Sequence, residues 1–129
     1  MTRVLVDTHT FAWITTEPER LPRVARRMIE TADETLVSVV SIYEIAQKVR
    51  LGKWPEMAAN VRSLNEEAFA IGVGLVPVTG RISLHAGLLD WPHRDPFDRM
   101  IAATALVLDL VLISADTTFD SLPDLRRVW

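Results

Sequence analysis

The chain contains no cysteine. That absence excludes a disulfide framework, thiolate metal sites and a cysteine nucleophile. It fits a cytosolic protein, and a cytoplasmic location is expected. No apolar run approaches the roughly 18 residues of a membrane span, so no membrane role is expected. The opening stretch, M-T-R-V-L-V-D, enters a strand pattern at once and meets an acid, which is not how a secretory leader reads. Positive charge is scarce as well. Fourteen Lys and Arg stand against 17 Asp and Glu, for a net charge of −3. Bulk charge would therefore not grip nucleic acid, although a local basic surface around an acidic centre stays open. Repeats, linkers and low-complexity tracts are missing too. With 129 residues there is room for one domain with a real core but not for two comfortable ones, so a single domain over 1–129 is expected.

What is present is an alternation. Arg3–Asp7 reads as a buried strand with Asp7 at its carboxyl end, and Thr8–Thr15 as a first helix. Glu17–Pro22 is a turn. Pro22–Ala32 has helical spacing, with Leu21, Val24, Ala25, Met28 and Ile29 on one face. Thr35–Val40 is a second strand, running into a helix over Ser41–Leu51 that Gly52 stops. Pro55–Ile71 reads as one more helix, Val73–Val78 as a third strand and Arg81–Leu89 as a short helix. Asp90–Asp95 is a connection rich in Trp, Pro and His. In R-D-P-F-D-R-M-I-A-A, Asp95 is a good N-cap and Pro96 falls at the first helical position. That helix runs to about Leu108. Leu110–Ser114 is a fourth strand, and Arg126–Trp129 a short edge strand. Alternating apolar strands and helices predict an α/β fold: a parallel sheet of four to five strands with helices on both faces.

Such a sheet gathers strand ends and helix starts on one edge. Asp7, Glu44, Asp98 and Asp116 all fall on that edge, although they span the chain. Each also has a plainer reading. Ser41–Glu44 spells a capping box, Asp98 suits the positive end of a helix dipole, and Asp116 suits a turn. Asp7 is hardest to explain so, because a carboxylate closing a buried strand needs partners. Two carboxylates about 5 Å apart repel by roughly 3 kcal/mol at an effective dielectric near 20. A hard divalent cation removes that cost. The residues thus point to an all-carboxylate Mg²⁺ or Mn²⁺ site suited to phosphoryl chemistry.

The segments L-V-D-T-H-T-F, S-I-Y-E-I-A-Q-K-V-R-L-G-K, H-R-D-P-F-D-R-M-I-A-A and L-I-S-A-D-T-T-F together resemble the PIN-domain ribonucleases, and among them the VapC-type toxins of bacterial toxin–antitoxin pairs. The resemblance spans essentially the whole chain and breaks at no acidic position. It implies a PIN-like fold, Mg²⁺ or Mn²⁺ as cofactor, and hydrolysis of single-stranded regions of RNA, with a tRNA as the family-level expectation. Asp7, Glu44, Asp98 and Asp116 match the family's acidic positions. The first three are then the core ligands, and Asp116 a second-metal or water-mediated one. It further implies a VapB-like antitoxin and a homodimer.

Other residues carry weaker expectations. His9 is read as capping or packing the first helix, His85 as structural, and His93 as a candidate for substrate contact. Arg99 could hold a site acid or a phosphate, or point to solvent. Ser114 and Thr117 could orient Asp116. Arg94, Lys48, Arg50 and Lys53 are candidates for the RNA backbone, and Glu44–Lys48 is a favourable helix pair. Trp54, Met57, Val61 and Leu64 are read as core packing in preference to a partner groove.

Three other readings compete. A haloacid-dehalogenase-like phosphatase needs an acid two residues after the nucleophilic one, where this chain has His9. A receiver domain needs a late lysine, and none follows Ser114. A catalytically silent interaction module would gain nothing from gathering four acids.

Overall fold

The computed structural model describes residues 1–129. Five parallel strands form one sheet: β1 (Arg3–Val6), β2 (Glu34–Ser38), β3 (Val73–Val76), β4 (Val111–Ile113) and β5 (Arg127–Val128), in the order β3-β2-β1-β4-β5. The chain steps outward from β1 to β2 and β3, then returns to place β4 on the other side of β1. Between β1 and β4 lies the point where the strand order reverses, the usual place for a site in an open α/β sheet. There Val4, Leu5 and Val6 pair with Val111, Leu112 and Ile113.

Alternation along the strands fills both faces. Val4, Val6, Val37, Val111 and Ile113 turn to one side. There they meet α1 (Thr8–Thr16), α2 (Arg23–Thr31), α3 (Val39–Arg50) and α4 (Leu64–Ala70) through Phe11, Ala25, Ile45 and Leu64. Leu5, Leu36 and Leu112 turn to the other side and meet α6 (Pro96–Leu108) through Ile101, Ala102 and Ala105. The remaining helix, α5 (Gly80–Leu88), packs Ile82 and Ala86 on Ala103 of α6. Each fully buried Leu, Ile or Phe contributes on the order of 1.5–3 kcal/mol.

The α/β architecture expected from the alternation is the one observed, with Arg127–Val128 as the fifth, edge strand. Three local expectations need correction. Pro55–Ile71 is not one helix. It consists of 3₁₀ turns at Pro55–Met57 and Val61–Ser63, then α4. Polar side chains compete with the backbone there: Ser63 Oγ donates to the Asn60 carbonyl and Asn60 Nδ2 to Glu67. Met57 and Leu64 are nonetheless buried, and Trp54 and Val61 pack on the core.

Secondly, the helix after β2 starts at Val39, because Ser38 caps it by accepting from the Val40 N–H. Ser41 therefore lies inside the helix, no Ser41–Glu44 capping box forms, and Glu44 sits in the second turn rather than the first. Thirdly, Val24 and His85 are exposed, as are Leu84 and Leu88 beside His85. Gly52 does end α3: at φ +72° its N–H bonds the Val49 carbonyl.

Candidate active site

Asp7 follows β1 directly and caps α1. Its Oδ1 accepts from the Thr10 N–H at 2.9 Å and its Oδ2 from the Ser114 hydroxyl at 2.5 Å. Ser114, fully buried at the end of β4, also accepts the Asp116 N–H at 3.0 Å. One hydroxyl thus ties the ends of the two central strands together across the switch point. Thr10 adds a bond from its own hydroxyl to the Ile113 carbonyl.

Glu44 is buried in α3. Its Oε1 accepts from Thr8 at 2.6 Å, with Ser41 Oγ 2.9 Å from the same threonine hydroxyl, and its Oε2 pairs with Lys48 at 2.8 Å. With the capping box gone, these contacts are what hold its carboxylate. The Lys48 pair is the i, i+4 pair that the sequence predicts.

Asp98 lies in the first turn of α6, where Asp95 is the cap, accepting from the N–H groups of Phe97 and Asp98. His93 Nε2 is 2.7 Å from Asp98 Oδ2. Burial pushes the Asp98 carboxyl up to about 6. The hydrogen bond from His93 works against that shift, and the charges of Asp95 and Glu44 add to it. Asp116 moves the other way. Burial raises it, but hydrogen bonding from Thr118 and the positive influence of His93 and Arg127 outweigh burial, so its carboxyl lies below the usual range.

These four acids, with Asp95, Thr8, His9, Trp13, Lys48 and Ala115, line one cavity of about 260 Å³. Five carboxylates face a single lysine there. No three Asp, Glu or His side chains are drawn into a ready-made ligand cluster; each acid still rests on its own protein partners. The donor set nonetheless suits a hard divalent cation. It is all oxygen, it carries a surplus of negative charge that already raises Asp98, and Asp98 and Asp116 each use only one oxygen in their side-chain bonds.

Not every expected residue reaches this cavity. Arg94, Arg50 and Lys53 are exposed and line no part of it, whereas Lys48 does. His93 is not in its wall and bonds Asp98 instead. Thr118, not Thr117, bonds the Asp116 carboxylate. Arg99 neither holds an acid nor points to solvent. Its guanidinium donates to four carbonyls, those of Ala86, Leu89, Trp91 and His93, at 2.6–3.0 Å. It therefore clamps the 89–93 connection on which His93 and Asp98 depend. Sequence reasoning also missed Thr8, whose hydroxyl reaches Glu44; its place next to Asp7 on the site edge was the available signal.

A profile for the PIN domain matches residues 4–125. The chain belongs to the PIN-domain family. It is 30% identical over 119 residues to Ribonuclease VapC22 of Mycobacterium tuberculosis (strain ATCC 25618 / H37Rv), covering 90% of this chain and 88% of that protein. Its PIN fold is shared by VapBC2 from Rickettsia felis bound to a promoter DNA fragment (TM-score 0.71, 12% identity, 98% of each chain). DNA-bound VapBC from Salmonella typhimurium is similar too (TM-score 0.70, 19% identity, 99% of this chain and 98% of that one). No helix of this PIN-domain chain is long and apolar enough to cross a membrane.

Proposed function

We propose that this chain is a metal-dependent endoribonuclease toxin of the VapC type, hydrolysing phosphodiester bonds in single-stranded regions of RNA, tRNA among them. The observation that carries the reading is the convergence of Asp7, Glu44, Asp98 and Asp116, from four separate elements, on one cavity at the switch point of the sheet. The 30% identity to a VapC ribonuclease supports it.

In this reading Asp7, Glu44 and Asp98 would hold the cation, and Asp116 would hold a second one or act through water. A bound Mg²⁺ or Mn²⁺ would supply charge neutralisation at the phosphate and a more acidic water. The protein supplies the placement. Ser114 and the Thr10 N–H fix the Asp7 carboxylate, Thr8 fixes that of Glu44, and His93 fixes that of Asp98. Lys48 offsets part of the negative charge that an incoming phosphate meets. A neutralising VapB-like antitoxin is the partner this reading implies, and the structural neighbours are themselves VapBC complexes. The exposed Leu84 and Leu88 of α5 offer an apolar face for a homodimer. A cytoplasmic location goes with this reading.

The test is cleavage of single-stranded RNA by the wild type and Asp7→Asn, with Mg²⁺ or Mn²⁺ and with chelator. Metal-dependent cleavage, reduced at least about 100-fold in the variant, is expected, since even outer partners of metal ligands carry roughly 10–100-fold effects. Cleavage that persists in chelator, or an active Asp7→Asn, overturns the mechanism.

A further inference from the structure

The acid cavity shares two wall residues, His9 and Trp13, with a second cavity of about 280 Å³. Three aromatic rings line this neighbour, His9, Trp13 and Trp54, together with Met57, Arg20 and two acids, Glu17 and Glu56. The rings form a series. His9 stacks on Trp54 with centroids 4.7 Å apart, and Trp13 lies tilted 5.9 Å from His9. A cation stands at each end: the Arg20 guanidinium is 4.7 Å over Trp13, and the Lys48 ammonium 5.6 Å over Trp54. Lys48 is also the partner of Glu44, so the series begins at the acids themselves.

Packing accounts for this arrangement only in part, although Trp13 also tilts against Trp129 with centroids 5.7 Å apart. Trp54 rests partly on the core, but His9 is exposed. Nor does His9 cap α1, since Asp7 does so.

We propose that the wall formed by His9, Trp13 and Trp54 is a nucleobase subsite, seating an unpaired base of the RNA strand next to the phosphate held at the acids. The proposal rests on the ribonuclease reading above. Contiguity is its first support: a strand leaving the acid cavity on this side passes over His9 and Trp13. Charge is the second. A protein of net charge −3, with five carboxylates at its site, gains little from bulk attraction to a polyanion. Stacking of bases on aromatic faces contributes without regard to net charge, and every base offers a π-face. Arg20 and Lys48 lie beside the rings, each paired with an acid, Glu17 and Glu44, so that a phosphate on either side of such a base meets a cation only in exchange for that acid. A base held in a duplex has no free face to offer, so the same wall selects single strands. An antitoxin side chain is the rival occupant; the walls shared with the acid cavity favour RNA.

The experiment titrates the full chain, with Mg²⁺ present, against a short single-stranded DNA oligonucleotide whose integrity is checked on a gel, and against an abasic strand of equal length and charge. Tryptophan fluorescence reports binding. The wild type should prefer the base-bearing strand by about five- to hundredfold, the span expected for one base–aromatic stack. His9→Ala and Trp54→Leu should lose that preference and raise KM for RNA cleavage more than they lower kcat. His9→Phe should keep it. Circular dichroism confirms that the variants are folded, and exposed His9 can be replaced without disturbing the core. Equal affinity for the abasic strand, or a His9→Ala protein that still prefers bases, overturns the proposal. So does a loss of affinity for an antitoxin peptide with nucleic-acid binding unchanged, which would make the wall a protein-docking surface. RNA cleavage without base preference removes only the subsite; absence of any RNA cleavage removes the ribonuclease reading with it.

Discussion

Asp7 and Asp98 reach the same cavity by opposite means. Asp7 is bolted to the sheet. It is buried at the end of a central strand, and its two oxygens take one backbone and one side-chain donor, the second from the neighbouring strand. Asp98 stands on a helix start fed by an irregular connection. It is only partly buried, it faces Asp95 and Glu44, and it relies on His93, whose own backbone is pinned by Arg99. The first side of the site is positioned by the fold as a whole, whereas the second is positioned by a local clamp. Removing the clamp should therefore disturb one wall of the cavity and leave the other in place.

Arg99→Met breaks this comparison most severely. A charged hydrogen bond is worth about 1.5–3 kcal/mol, and four carbonyls lose their donor. Some of them regain water, so a net loss of about 2–4 kcal/mol in urea unfolding is expected. Cleavage should fall with it, because His93 and Asp98 lose their footing. Arg99→Lys should restore little, since an ammonium cannot fan out to four acceptors as a guanidinium does. If Arg99→Met unfolds no more easily than wild type, the clamp is not what holds this wall.

On the bolted side the matching change is Ser114→Ala. It leaves Asp7 Oδ2 and the Asp116 N–H without their shared partner, at a cost of about 1–3 kcal/mol. Activity should fall roughly 10–100-fold, the usual effect of losing a group that orients a metal ligand. The urea midpoint and kcat/KM check both. Normal activity in Ser114→Ala would mean that Asp7 needs no such anchor.

The two sides also differ in how far they could be read from sequence. The strand alternation, the edge strand at Arg127–Val128, the Asp95–Pro96 helix start and all four acids were legible, because each depends on local pattern or on the one edge that a parallel sheet provides. Glu44 was placed on the right edge although its helix was started too late: the S-x-x-E pattern imitates a cap at Ser41, whereas Ser38, three residues earlier, is the residue that starts the helix. Arg99 was not legible. Nothing in D-R-M-I says that a charged helix residue will turn toward four carbonyls of a preceding connection, because the path of that connection is set by tertiary packing. The stacking of His9 on Trp54, 45 positions apart in the chain, was hidden for the same reason. Break-up of the 55–71 segment was hinted at by Asn60 and Ser63, whose side chains compete with helical backbone bonds.

The adjustable wall has a measurable signature in the metal-free protein. The Asp98 carboxyl is raised from 3.8 to about 6, first by burial and then by its acidic neighbours. Below pH 4 it is protonated in both the folded and the unfolded chain and contributes no penalty. Between about 4 and 6 the unfolded chain gives up this proton first, so folding stability falls as pH rises. Above about 6 the full cost of the buried charge stands. The shift corresponds to roughly 3 kcal/mol at most, and the part of Asp98 that meets water reduces this to about 1–2 kcal/mol. Asp98→Asn keeps a polar group for His93 and removes the charge. In chelator, its urea-unfolding stability should match wild type near pH 4 and exceed it by about 1–2 kcal/mol near pH 7. Added Mg²⁺ should close that gap by stabilising only the wild type, because a cation gains from the charge that the apoprotein bears at a cost. A difference between the two proteins that does not vary with pH would show that Asp98 carries no such burden, and that its wall is as settled as that of Asp7.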